Sequence, residues 1–510
     1  MVIRALVRLR ERPCRAIHGR TGIASIDAIA GVRGPTEDGS ARAPAVSICD
    51  ALDCRFGRAR DRKMERFHRG WIVAAACLVA LQLVGCQSYS ARMELARRQY
   101  YGGQIDAALA EIDKAERSYD SSKDVANLDR SIVLLANGQA EESERLLREV
   151  RDHFEVLEEK RLVDQGVSLL TDDTRQPYAG EDYEKVLIRV FLALANLMRG
   201  GDDVEAYALQ VMDKQQQIID AAIEEEGKNP KASYQQVALG AYLRGVLREQ
   251  THTDYDDAAR AFEAVTVWQP DFAPGKSDLE RVTRGRHSQQ GNGVVHLVAL
   301  VGRGPQKIEV AEVPTSQAML VADQVFSIFG NQTVPPTLAP IKVPKVIARQ
   351  NMIDGVGVRV ARNIVGRSQP ITHVTQMAIA QAEAMHDHTL GMAVARRAMK
   401  KGMIYGAKEF AGVQKGSLIG LGVDLAGVAY EAAERADTRS WSLLPDSIQV
   451  MRLELPAGKH SLGLAPIDRA GRPCGPEVQC KVTITDGRNT YVLANFPGEK
   501  LVGQVQVATP

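Results

Sequence analysis

The first signal along the chain is a change of period. Between residues 91 and 275 apolar side chains recur three or four positions apart, the spacing of amphipathic helices, in units punctuated by glycine. Residues 91–119 predict two short helices around Gly102-Gly103, with Leu95, Ala96, Ala108, Ile112 and Ala115 at packing positions. Gly138, Leu147 and Val150 then repeat Gly103, Ile112 and Ala115 at a distance of 35 residues. A third unit covers 186–214, with Leu187, Phe191, Leu194 and Leu197 on one face, Gly200-Gly201 at the turn and Ala206 beyond it. The fourth carries Tyr242, Gly245, Tyr255, Ala258, Phe262 and Val265, and Pro270 ends it.

After a polar join at 284–293 the period shortens. Residues 294–301 are a β-type apolar run, Gly302-Arg303-Gly304-Pro305 a turn and 307–313 an alternating return strand, which predicts a hairpin. The Pro-rich stretch 333–344 predicts a loop or edge segment. Helices are expected over 375–385 and 390–410, and the glycine-studded apolar stretch 416–433 is expected to pack on the helix before it rather than lie on a bilayer. From Asp437 five candidate strands (448–455, 460–464, 478–484, 490–495, 502–507) suggest a small sandwich-like domain. The predicted fold is therefore α+β and multidomain. A helical solenoid spans 91–283, a linker 284–293, a β-hairpin and Pro-rich region 294–345, an Ala/Gly-rich helical region 346–436 and a C-terminal β-domain 437–510.

The four helical units resemble tetratricopeptide (TPR) repeats. Small residues (Ala96, Ala108) sit where helices cross closely, glycines (Gly103, Gly138, Gly245) permit turns and close approach, and larger residues (Leu95, Leu147, Tyr255, Phe262) fill grooves. Stacked repeats of this kind bury a core between neighbours and leave a concave groove, so the resemblance implies a protein or peptide partner in that groove.

The N-terminal part carries a different pattern. Residues 1–63 hold 12 Arg and one Lys against seven acids, a net charge of +6, without hydrophobic period. Met64-Glu65-Arg66-Phe67-His68-Arg69-Gly70 then opens a short basic stretch, and an apolar run follows over 71–84. That is the layout of a secretory signal, so translation is expected to begin at Met64 and residues 1–63 to be a mis-assigned or disordered extension. The run closes on Leu83-Val84-Gly85-Cys86, which resembles the bacterial lipobox: signal peptidase II recognises Leu83, Val84 and Gly85, and the Cys86 thiol takes the lipid. The 13 residues of 71–83 fall short of the roughly 20 that span a bilayer. The expected product is a signal peptide over 64–85, a lipidated tether over 86–90 and a chain anchored to the membrane by lipid. Gln87, where an Asp would favour inner-membrane retention, points to the outer membrane and its periplasmic face, with the inner membrane or cell surface as alternatives.

Composition adds limits. The whole chain carries a net charge of +1, which lacks the electrostatic footprint of a nucleic-acid binder. After Cys86 only Cys474 and Cys480 remain, and an oxidising periplasm predicts a small loop disulfide between them. His386-Asp387-His388 is the one tight cluster of metal-ligand types, but positions two apart on a helix diverge by about 200°, so no metal is expected. Gly420-Leu421-Gly422 with Gly427 has the wrong spacing for a dinucleotide loop, and Glu224-Glu225-Glu226 predicts a solvated helix end. No cofactor and no catalytic constellation is predicted. Trp441 with Arg439 fits either an exposed recognition patch or a buried tryptophan beside a solvated arginine.

Two further stretches carry a wider resemblance: Pro177-Tyr178-Ala179-Gly180-Glu181-Asp182-Tyr183-Glu184-Lys185, and Asp437-Thr438-Arg439-Ser440-Trp441-Ser442-Leu443-Leu444-Pro445. With these the region 86–500 resembles a largely uncharacterised family of TPR-containing bacterial outer-membrane lipoproteins. The resemblance implies a cell-envelope location and no established activity. The expected function is a non-catalytic protein-binding scaffold. The alternatives are a structural, self-assembling envelope lipoprotein, or an enzyme whose site is dispersed over 294–445.

Overall fold

The computed structural model describes residues 89–118, 120–163, 174, 176–222, 229–327, 340–361, 363–410 and 435–509. The basic leader, the signal stretch with Cys86, Glu224–Glu226 and the glycine-studded stretch 416–433 lie outside the described residues. Among the described residues the chain is mixed α/β, with twelve α-helices and three sheets.

The helical part opens with four antiparallel pairs: α1 (Tyr89–Tyr101) and α2 (Ile105–Ser118), α3 (Lys123–Ala136) and α4 (Ala140–Val163), α5 (Asp182–Arg199) and α6 (Val204–Asp220), α7 (Ala238–Glu249) and α8 (Tyr255–Trp268). A shorter α9 (Pro274–Thr283) closes the series, and each helix packs on the next. The first two turns are alike. Gly103 and Gly138 have φ of 78° and 80°, a left-handed conformation open to glycine at no steric cost. Ala96, Ala108, Leu147, Ala258 and Phe262 are buried between helices as their spacing predicts, and the Gly245 backbone lies against the Phe262 ring. Tyr255 is half-buried, and exposed Pro270 follows the end of α8.

Two packing expectations are corrected. Leu95 is exposed, because the buried stripe of α1 is Tyr89, Met93, Ala96, Arg97 and Tyr100, and Leu95 falls beside it. Ala206 is exposed for the same reason: α6 buries Val204, Tyr207, Ala208 and Val211.

The β part departs further from expectation. Strand β1 (Asn292–Val301) does not turn back onto β2 (Gln306–Glu312). It lies at the centre of a five-stranded sheet, between β10 (Asn489–Phe496), parallel to it, and β7 (Ser447–Pro456), antiparallel. β11 (Gln506–Ala508) and β6 (Gln369–His373) form the edges. β2 pairs instead with β3 (Ile341–Ile347), whose Pro344 is tolerated in a two-stranded ribbon with a free edge. A four-stranded sheet, β5 (Asn363–Arg367), β4 (Gly355–Val360), β8 (Gly458–Ile467) and β9 (Val478–Ile484), covers one face of the five-stranded one. Val295, Leu297, Val356, Leu464, Val482 and Phe496 belong to the core between them. The other face, with Val298, Leu300, Ile448, Val450 and Leu493, belongs to the core of the helices.

The layers therefore run sheet, sheet, helices, and β1 is buried on both faces. That explains why its apolar residues, broken only by His296, do not alternate with polar ones. The join 284–293 is not a flexible linker: His287 is buried against Asn489, and the Gln289 and Gly291 amides donate to Glu454 and Asp486. A third cluster seats α10 (Ser316–Ser327) and α12 (His386–Phe410) on β3, and α11 (Val374–Ala384) also packs on β3.

The expected disulfide is also corrected. Both thiols are free. Cys480 faces Leu462 across the β8–β9 ladder, whereas the Cys474 amide bonds to Pro466, four residues further along β8. At about 3.3 Å per residue that is ~13 Å of strand, well beyond the ~4.4–6.8 Å between α-carbons that a disulfide bridges.

Candidate functional site

The first helix of each pair turns toward the β-layer. Tyr100 from α1 meets Asn495, Asp129 from α3 meets Ser442 and Leu443, Phe191 from α5 meets Trp441, and Tyr242 from α7 meets His296. Into the space between these helices and the sheet runs residues 437–446, without regular structure of its own, before it enters β7.

This segment is held as a bound peptide would be. The Trp441 amide donates to Glu184 Oε1 (2.7 Å) and the Leu443 amide to Asp129 Oδ1 (2.9 Å), while the Ser442 hydroxyl donates to Asp129 Oδ2 (2.9 Å). The Trp441 side chain is 0% exposed, its ring 5.2 Å from that of Phe191. Arg439 is buried too, so neither sequence reading of this pair holds. Its guanidinium pairs with Asp437, donates to the Ser121 (2.6 Å) and Gln176 (3.0 Å) carbonyls, and lies 5.4 Å from the centre of the Tyr178 ring.

The opposite wall is the other stretch singled out in the sequence. Glu184, in the first turn of α5 and 0% exposed, accepts from Tyr178 (2.5 Å), from Tyr183 (3.2 Å) and from the Glu181 amide (3.1 Å). Lys307 at the start of β2 pairs with Glu181. The two stretches, 177–185 and 437–445, thus interlock across more than 250 positions of chain.

Their electrostatics follow from burial. Desolvation, aided by Glu181, pushes Glu184 up to about 7 against the hydrogen bonds it accepts. Burial likewise raises Asp129 to about 6, opposed by the Leu443 amide and the Ser442 hydroxyl. Burial would raise Asp437 as well, but Arg439 and Lys307 outweigh it and hold that carboxyl below its usual range.

A cleft of about 690 Å³ lies on one side of the threaded segment. Tyr178, Asp437 and Arg439 reach it from the interlock, and Met385, Met392 and Val346 come from the α11–α12 region and β3. His386 and His388 line its rim without forming a metal site: His386 contacts Glu312 (3.2 Å) and Asp387 accepts from Thr315 (2.7 Å), tying the start of α12 to the β2–α10 loop. Among the described residues no group of three His, Cys, Asp or Glu is placed to hold a metal ion.

A second buried network joins α7 to the sheet. His296 on β1 contacts the Tyr242 hydroxyl (3.2 Å) and stacks on Tyr491, 5.6 Å between rings. Asn489 joins His287, Tyr491 and the Val246 carbonyl. Arg281 bridges Glu249 and Asp278 beside it. Sequence reasoning missed this network, because His287 lay in the presumed linker and His296 inside an apolar strand. No family model matches this chain, and no curated protein matches it either.

Proposed function

We propose that this protein is a lipid-anchored, non-catalytic scaffold of the bacterial cell envelope, held at Cys86, which binds an apolar, acid-bearing segment of a partner protein in the 690 Å³ cleft. The helical pairs are read as TPR-like repeats whose groove is filled in cis. One observation carries the choice of cleft: residues 437–446 occupy the inner face of the helices, with Trp441 fully buried, and continue directly into the central-sheet strand β7. A partner would have to displace this covalently tethered segment to take that place. The cleft beside it lies open. Its methionines suit an adaptable apolar contact. Its cations (Lys307, Lys342, Arg396, Arg435, Arg439) outnumber its acids (Glu181, Asp182, Asp437), which favours a partner segment with carboxylates.

The test is in-cell photo-crosslinking from Met392 in the cleft, with Lys114 on the exposed side of α2 as control. The proposal expects one envelope protein crosslinked from position 392 and not from 114, and lost on Met385→Glu. Equal labelling from both positions would sink it. Membrane attachment that survives Cys86→Ala would sink the anchoring part alone.

A further inference from the structure

On the other side of the threaded segment lies a second cavity, of about 250 Å³. Tyr89, Ser90 and Arg97 of α1, Lys307, Arg349 and Ser440 are among the residues that line it. The threaded segment alternates between the two cavities: Thr438, Ser440 and Ser442 border this one, while Asp437 and Arg439 border the wide cleft.

Two features of this space point to the same chemistry. Its lining holds three cations, Arg97, Lys307 and Arg349, against one acid, Glu94. Arg97 pairs with Glu94 (2.7 Å) and Lys307 with Glu181, but Arg349 is in no ion pair among the described residues, and its Nε is buried without a hydrogen-bond partner. Burial, together with Arg97 and Arg303, works against its positive charge, while Tyr101 and Glu94 support it, and an anion in the cavity would add to that support. Second, the Tyr89 hydroxyl has no hydrogen-bond partner among the described residues, on a side chain only 5% exposed. Leaving such a donor unpaired is unfavourable, and a ligand oxygen would satisfy it.

The donors converge from α1, from the stretch after β3 and from the threaded segment. A carboxylate offers two oxygens in one plane, whereas a tetrahedral oxyanion offers oxygens in every direction these groups occupy. The volume exceeds that of a bare phosphate and leaves room for a short ester. We propose that this cavity is a binding site for a phosphate ester, held by Arg349 and the Tyr89 hydroxyl. Two sources share that chemistry: a soluble phosphorylated metabolite and a phospholipid headgroup. The headgroup source rests on the lipid-anchor reading, since Tyr89 stands three residues, or roughly 10 Å of chain, beyond Cys86; the phosphate chemistry does not.

The full chain, in a neutral detergent, is titrated calorimetrically with glycerol 3-phosphate, with monomeric dihexanoyl phosphatidylglycerol and with acetate. The proposal expects a phosphate compound to bind at least tenfold more tightly than acetate, with Arg349→Ala weakening it at least tenfold and Tyr89→Phe several-fold. Tyr89→Phe removes only the hydroxyl, so it keeps the test valid if Arg349→Ala folds poorly. Tighter binding of the lipid assigns the headgroup, and tighter binding of glycerol 3-phosphate assigns a soluble ester. No preference over acetate, or affinity unchanged in both variants, overturns the proposal and leaves the cleft reading untouched.

Discussion

The helices meet the sheet through two buried polar networks of opposite design. At α3 and α5, carboxylates (Asp129, Glu184) receive backbone amides of an extended segment. At α7, neutral imidazoles and an amide (His287, His296, Asn489) join side chains to one another. Both close the same interface, yet burial acts on them in opposite senses. It raises Glu184 to about 7 and Asp129 to about 6, while it lowers His287 to about 4 and His296 well below its ordinary value. The lesson is that one interface carries two pH responses, each traceable to which member of an acid–base pair prefers to be dry.

Several experiments sharpen that contrast. The largest effect is expected from Trp441→Ala, which empties a fully buried site and should cost about 3–5 kcal/mol in chemical denaturation. His296→Phe keeps a ring against Tyr491 and removes only the contact to Tyr242, so it should cost about 1–3 kcal/mol. If the two variants cost the same, the threaded segment is no stronger a link than the imidazole network.

The pH response comes next. Glu184 and Asp129 have folded values above their unfolded ones, so their contribution is complete below about pH 4 and is lost as pH rises through about 6 and 7. The histidines have folded values below the unfolded 6.5, so theirs is complete above that pH and is lost as pH falls toward about 4. Between pH 8 and 6 the two carboxylates and the two histidines therefore act in opposite senses, each pair by on the order of 1–2 kcal/mol, and in the wild type they nearly cancel. Glu184→Gln should tip that balance so that stability falls on acidification, and His287→Gln should tip it so that stability rises, both measured as denaturation midpoints against pH. A wild-type curve that falls as steeply as that of Glu184→Gln would contradict the carboxylate half.

The smallest effect concerns the thiols. With Cys474 and Cys480 apart, reductant should leave the melting temperature unchanged, and an alkylating reagent at pH 8 should modify half-exposed Cys474 before Cys480, whose thiol burial pushes up to about 11. Loss of 2 Da in the untreated C-terminal peptide would refute this.

The helical pairs were legible because their cores are local. Ala96, Ala108 and Phe262 pack against helices adjacent in sequence, so the period alone places them. Leu95 and Ala206 failed by one position around the helix, the limit of what periodicity resolves. The wiring of β1 was not legible. A strand buried on both faces shows no alternation, and nothing in 294–301 tells whether its neighbour is 307–313 or 489–496. The interlock was legible only as two conspicuous stretches. What joins them is a backbone amide meeting a carboxylate, and a backbone amide has no residue identity to read.

The pairing of β1 with β10 also says something about the order in which the molecule can assemble. The apolar residues 294–301 can complete their sheet only when 489–496 are present, and β11 with the preceding loop then reaches α3, where Gln504 bonds to the Ala136 carbonyl. Contacts so distant in sequence slow folding and leave an unpaired apolar strand waiting. A chain with this wiring spends its early life exposed to aggregation.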